Sequence, residues 1–478
     1  LSIKTVPIDI SRGYRPAKFK QLDNSQLYNF YISSSSGQPA LYPTAGHKQQ
    51  GVFSYGKKAR AIFESTKLNK IFLVFGVNIF LVDDVGSHTL VNIDVPLSNS
   101  SSTVYVTENN INQVVFSDGV KIYVFNITTS EFNSVVLPDG LVPGMVIYKD
   151  SRFIVNNKSN NEWHISGFNT ALSWDALDKS IVDGITVGLA SVKTQLIVFQ
   201  REKATVFYDA GLSGFPYQRS NTILFEYGCL ATNSIAEGYG YVFWLGADKQ
   251  SSPTIMVSDG GSPVSVEIGD INFIIDQFKF IEACDAFVYK VDGHIFYQIN
   301  WEKDNFSLLY DLTNKTFSVV TDCEYNVHPL KYVTRFNGTQ YALSRNDGFL
   351  YLFDVNIYSE NGKAVPRSIT SINYSKQNEK FSIPKLTVYM EQGMTNVPNT
   401  DCAPSCSPCR DASLYLSISH DKGVTFPIFR TKQLAQLGQR VELMIFNNLG
   451  SGRFWTFKFE FFSPERVCIF AIDMDVTE

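Results

Sequence analysis

From residue 51 to residue 358 the chain repeats one local plan: a short apolar run, a turn carrying Gly, Asn or Asp, and a second apolar run. Residues 195–200 and 204–208 form such a pair, as do 241–245 and 254–257, 287–291 and 294–300, and 340–344 and 348–354. Asp118-Gly119, between the runs 113–116 and 121–125, is a strong hairpin turn because Gly takes the positive φ that a tight reversal needs. Seven units can be drawn, the later ones spanning 144–176, 185–221, 229–269, 285–320 and 331–358. A period of roughly 35–45 residues with about four strands per unit predicts a β-propeller. Six blades suffice if the first or last unit supplies only closing strands.

Composition fits a fold made of packed sheets. Aromatic residues are 14% of the chain, with 37 Phe and 24 Tyr, and charged residues only 18%. Rings and β-branched side chains suit a pleated surface. In a propeller they fill the wedges between twisted blades. The predicted fold class is therefore all-β, a β-propeller of six or seven blades at 51–360 with a further C-terminal β-sandwich or barrel at 381–478. Residues 361–380, polar and holding Asn361-Gly362, read as the linker. Residues 1–50, where Arg12, Arg15, Lys18 and Lys20 precede a serine run, read as an extended arm, either crossing onto a neighbouring subunit or loosely held.

The C-terminal stretch carries the most recognisable words. Leu414, Leu416 and Ile418 alternate with Tyr415, Ser417 and Ser419, the period of a strand with one buried face. Further runs cover 441–446, 454–462 and 467–472. In order come Ser419-x-Asp421-x-Gly423-x-Thr425-Phe426, Gly438-Gln439-Arg440, Phe446-x-x-Leu449-Gly450-x-x-Arg453, and an aromatic strand ending at Ser463-Pro464. This arrangement, with the aromatic-Pro-Gly turn from Leu41 to Gly46, resembles the packaged-DNA stabilisation proteins, the tail hub or nozzle subunits of short-tailed bacteriophages. Phe426 and Phe446 stand where that family usually has Trp, which keeps the aromatic bulk.

The resemblance implies a structural virion protein and no enzyme. Its expected partners are its own copies in a six-membered ring, the portal-adaptor ring, tail spikes or fibres, and a tail needle or plug. Genomic DNA would pass non-specifically through the channel. The expected location is the virion tail, after synthesis and assembly in the host cytoplasm. A net charge of −5 argues against a sequence-reading DNA binder. It predicts a neutral or acidic lumen along which DNA slides. No run of 18 apolar residues occurs, so no stable membrane insertion by a helix is expected. The opening residues also lack the apolar core of a secretion signal.

Reactive constellations are sparse. Cys402, Cys406 and Cys409 offer three thiolates to a zinc ion, which wants four tetrahedral ligands. His420 or a neighbouring subunit would supply the fourth; a disulfide or a plain loop are the other readings. The remaining cysteines, 229, 284, 323 and 468, sit in strand-like runs and read as buried thiols of a chain folded under reducing conditions. The six histidines are scattered, with no HExxH and no apparent Ser/His/Asp order, and no phosphate-cradling Gly loop is present, so no catalytic residue and no other cofactor is assigned. Asp421 sits in a match to the Asp-box of sialidase-like propellers, itself a turn clamp. The alternative function is a sialidase-like propeller that binds or cleaves host surface glycan, with Trp163, Trp174 and Trp244 stacking on sugar.

Overall fold

A computed structural model describes the chain except residues 1–2, 20–23, 35–36, 57, 84–85, 99–101, 213, 224, 248–252, 394–412, 436–437, 439–442 and 478. Almost all ordered structure is strand; the exceptions among the described residues are the helix Ile271–Asp276 and the 3-10 turn Thr232–Ser234. Six blades are each built from four consecutive antiparallel strands. Their first strands are Ala59–Ser65, Tyr105–Glu108, Pro143–Lys149, Thr186–Val192, Ala236–Gly238 and Cys284–Val291. A seventh blade has three consecutive strands, Leu330–Phe336, Thr339–Ser344 and Leu350–Asp354, and takes its fourth from the N-terminal region. That strand, Gly46–Gln49, runs antiparallel to Leu350–Asp354 from Gly46 opposite Asp354 to Gln49 opposite Tyr351. Each first strand packs on the next around the axis, and Leu330–Phe336 returns to Ala59–Ser65, so the ring is closed. Ends of the chain that meet within one blade fasten the disc without a free seam.

The wedges between blades are separate apolar cores. Phe72 of blade 1 meets Phe116 and Phe125 of blade 2 with ring centroids 5.4 and 5.6 Å apart. Val115 and Phe153 share the wedge between blades 2 and 3, and Ile154, Trp163 and Val198 the one between blades 3 and 4. Blades 5 and 6 differ, because their core is continuous with that of the C-terminal sandwich.

The continuity has a backbone cause. Outside the last strand of blade 6, Thr316–Val319, lies Gln26–Tyr28, then Arg367–Thr370, Phe454–Phe461, Ser413–Ser419 and finally Ile428–Gln433. One sheet thus runs from the propeller axis into the sandwich. The second sheet of the sandwich orders Phe30–Ser33, Ala40–Pro43, Cys468–Thr477, Phe381–Glu391 and Leu443–Asn447, with Ile3–Pro7 also paired to Cys468–Thr477.

Two expectations are overturned here. Residues 1–50 are not an extended arm: they supply five strands, shared among blade 6, blade 7 and both sheets of the sandwich. The segment read as a crossing arm folds on its own chain, with the Tyr14 backbone N–H donating to the Phe317 carbonyl at 2.6 Å and the Lys18 N–H to Asp270 at 2.8 Å. These strands are short and partly polar, so their periodicity is weak; burial by distant partners makes them strands. Residues 361–380 are likewise no simple linker, since Arg367–Thr370 is wholly buried inside the long sheet. A smaller difference concerns Ser413–Ser419, buried on both faces and not one, which hides Tyr415, Ser417 and Ser419 with the leucines.

Candidate functional site: the propeller axis and the sandwich junction

The first strands of the blades run in one sense, so their final residues gather at one mouth of the axis. Glu64, Glu108, Lys149, Glu237, Lys290 and Arg335 stand there, three acids among three bases. Glu237 accepts from the Ser191 N–H at 2.9 Å. Its side chain keeps contact with solvent on the axis yet is encircled by protein. That burial pushes its carboxyl up to about 7, against the opposing pull of the Ser191 N–H and Lys149. Lys149 donates to the Lys193 carbonyl at 3.0 Å. Burial also raises Glu64, which Arg335 partly offsets and Glu108 reinforces.

Deeper in, side chains bridge blades that are not neighbours. Tyr105 of blade 2 donates its hydroxyl to Asn233, on the 3-10 turn before blade 5, at 2.8 Å. Thr103 and Tyr332 of blade 7 share a hydrogen bond of 3.0 Å. Bonds of that length across the axis close it. A duplex whose major groove alone is about 12 Å wide cannot thread a single propeller.

The junction of propeller and sandwich carries buried charge. Arg367 is 2% exposed and donates to the carbonyls of Ser463 (3.0 Å) and Tyr358 (2.7 Å). Burial lowers its guanidinium to about 10. Nearby Glu360 accepts from the Cys323 N–H at 3.1 Å, and burial, with Asp322 adding, lifts its carboxyl to about 8. Between blades 6 and 7, Arg345 forms a two-pronged pair with Asp285 at 2.9 and 3.3 Å. These are fastenings between elements, satisfied largely by backbone carbonyls and paired charge.

One constellation is invisible in the sequence. Ser33, His294 and Asp311, from the N-terminal hairpin and two strands of blade 6, lie in line: His294 Nε2 is 3.1 Å from Ser33 Oγ, and Nδ1 is 2.8 Å from Asp311 Oδ2. The geometry is that of a nucleophile, base and orienting acid. All three are buried, Ser33 at 8%. The row instead ties the hairpin to blade 6. Only the fold brings together residues more than 250 positions apart.

The other predicted sites fall as follows. Cys402, Cys406 and Cys409 lie outside the described residues. His420, the candidate fourth ligand, uses Nδ1 on the Phe454 carbonyl at 2.9 Å and packs edge-on against Trp455. Asp421 is a turn clamp: it accepts from the N–H groups of Val424 and Thr425 at 3.1 and 2.9 Å and from the Thr425 hydroxyl at 2.6 Å. The Ser419 hydroxyl, foremost, and those bonds from Thr425 and Val424 hold its carboxyl far below the usual range. Trp163 and Trp244, expected as sugar platforms, are fully buried core, and Trp174 is half-buried with its Nε1 donating to Ala171 at 2.7 Å; the large rings are spent on packing. Cys229, Cys284 and Cys468 are buried thiols, with burial raising Cys229 to about 12.

The fold is a closed propeller fused through one sheet to a β-sandwich, with Arg367 and Glu360 buried at their junction. Residues 24–319 match the model of the phage stabilisation family, described as bacteriophage P22 Gp10, beta-propeller. The chain belongs to this family, whose members are structural proteins of phage particles. The match runs from the strand joining blade 6 to the sandwich through the end of blade 6; it includes the turn from Leu41 to Gly46, and the motifs from Ser419 to Pro464 lie beyond it. Among curated proteins nothing matches. Solved structures similar to this chain include the N-terminal domain of Nup159 (11% identity, TM-score 0.40, 69% of this chain and 98% of that one). BamB from Moraxella catarrhalis (9%, 0.39, 74% and 98%) and YCF48 from Cyanidioschyzon merolae (12%, 0.40, 65% and 98%) are comparable. No helix among the described residues is long and apolar enough to cross a membrane.

Proposed function

We propose that this chain is the tail hub or nozzle subunit: copies assemble into a ring, hexameric by family resemblance, below the portal-adaptor ring. The ring retains packaged DNA, anchors spikes or fibres, and holds a needle or plug until ejection. The observation that carries this reading is the family match across six of the seven blades. Two physical features support it. The propeller axis is bridged by Tyr105–Asn233 and Thr103–Tyr332, so any DNA path must lie between subunits. The subunit is also acidic overall, 46 Asp and Glu against 41 Lys and Arg, which suits a wall that lets DNA slide. Nothing found favours the glycan-directed alternative.

Native mass spectrometry and electron microscopy of the purified protein test the reading. A closed ring, and its density at the distal end of a particle's portal, are expected. A chain that stays monomeric at every concentration, or locates to the capsid shell, would refute it.

A further inference from the structure

Propeller blades normally end in short outer strands, because a long unpaired edge invites pairing with other chains. Four blades obey: His88–Leu90, Phe132–Ser134, Tyr217–Arg219 and Val264–Val266 have three residues each. Blade 3 does not. Its outer strand, Trp174–Ile181, has eight. The register breaks between His164 opposite Lys179 and Ser166 opposite Trp174, so the residues between bulge outward. Leu177 is 84% exposed and Ile181 62%, beside the carboxylates of Asp175 and Asp178.

A second long edge closes the sheet that leaves blade 6. Ile428–Gln433 has six residues, five of them exposed, and among the described residues its outer side pairs with no strand. It presents Phe429, half exposed, with Arg430 and Lys432. The two edges are complementary in charge: blade 3 offers Asp175 and Asp178, its one base, Lys179, being paired to Glu162 at 2.6 Å, and the sandwich offers Arg430 and Lys432, while each edge also exposes apolar surface, Leu177 and Ile181 on one and Phe429 on the other. They are also opposed in space. In a ring of seven, blade 3 is three steps from blade 6 one way and four the other, and the Ile428–Gln433 edge lies five strands beyond the rim of blade 6.

We infer that a second copy of this chain seats its Ile428–Gln433 edge on the Trp174–Ile181 edge of blade 3. Different surfaces at opposite ends of one molecule make a head-to-tail contact, the kind that closes into a ring when the rotation per subunit permits. Leu177 and Ile181 meet Phe429, and Asp175 and Asp178 face Arg430 and Lys432. The inference rests on the ring reading above and names its contact.

Charge reversal tests it, with native mass spectrometry as readout and circular dichroism to confirm the fold. Arg430→Glu with Lys432→Glu, or Asp175→Lys with Asp178→Lys, should each raise the concentration needed for assembly roughly tenfold or more, because like charges then oppose. The four changes combined should restore assembly. Separately, Leu177→Cys with Phe429→Cys should give a disulfide-linked ladder under oxidation that neither single change gives. Unaltered assembly of both reversed pairs, or no ladder, overturns the contact while leaving the ring intact. A wild-type chain that never assembles overturns the ring reading and the contact together.

Discussion

His294 Nδ1 lies 2.8 Å from Asp311 Oδ2, and both groups are buried. A carboxylate only accepts, so Nδ1 donates to Asp311, and in the tautomer this fixes for a neutral imidazole Nε2 faces the Ser33 hydroxyl as acceptor. The row resembles catalytic machinery, but its burial assigns it to stability. His294→Ala should cost about 3 kcal/mol, since it leaves a buried carboxylate short of a donor, and Ser33→Ala about 1 kcal/mol. Urea unfolding measures both. Ser33 should not react with a fluorophosphonate probe; labelling would return the row to the list of active sites.

Gly46 opens the strand that closes blade 7. A Cβ there would lie 2.5 Å from the carbonyl oxygens of Ile357 and Ser359, and backbone does not yield as a side-chain tip does. Gly46→Ala should therefore destabilise by about 1–3 kcal/mol or more. The loss should be accompanied by faster amide exchange at 350–354, the strand that pairs with it. Unchanged exchange would mean the disc closes without this strand.

Glu360 gives a pH dependence of known sign. Its carboxyl sits at about 8 in the fold against 4.5 when unfolded. Between those values the folded chain holds a proton that the unfolded chain has lost, so this contribution to stability is intact below pH 4.5 and declines as pH rises to 8. His47, lowered to about 4 by burial, acts oppositely at the acid end, losing stability as pH falls below 6.5. Comparison with Glu360→Gln isolates the first effect. The variant's amide oxygen still accepts from Cys323, and it should gain on wild type steadily from pH 5 to 8 in chemical unfolding. Parallel profiles would show that Glu360 ionises freely.

What could be read in the sequence follows the range of the contacts. Hairpins such as the one through Asp118-Gly119 announce themselves because turn and runs are adjacent, and Asp118 then accepts from Val120 and Lys121 N–H groups at 2.9 and 2.8 Å. The unit drawn from 331 to 358 hides its closure, because its fourth strand, Gly46–Gln49, is contributed from the other end of the chain. Gln26–Tyr28 is too short to show a period, yet it links propeller to sandwich with one parallel bridge, Tyr28 to Val319, and an antiparallel ladder to Arg367–Thr370. Trp163 and Trp244 were ambiguous for another reason: a large ring serves a wedge or a sugar equally well, and only burial decides.

The last prediction concerns DNA. A wall that grips a duplex releases counterions, and its affinity falls by about 10³–10⁵ between 50 and 200 mM salt when six to ten phosphates are engaged. This chain carries a net charge of −5, and at the mouth where the first strands of its blades end, Glu64, Glu108 and Glu237 are matched by Lys149, Lys290 and Arg335. Neither feature builds a phosphate track. The assembled ring should therefore bind duplex DNA weakly, with a salt slope corresponding to fewer than about three phosphates and no sequence preference. Fluorescence anisotropy across a salt series measures the slope. A steep one would mean that assembly aligns Lys and Arg from successive subunits into a basic lining, and that DNA is held by attraction to the wall instead of by a plug.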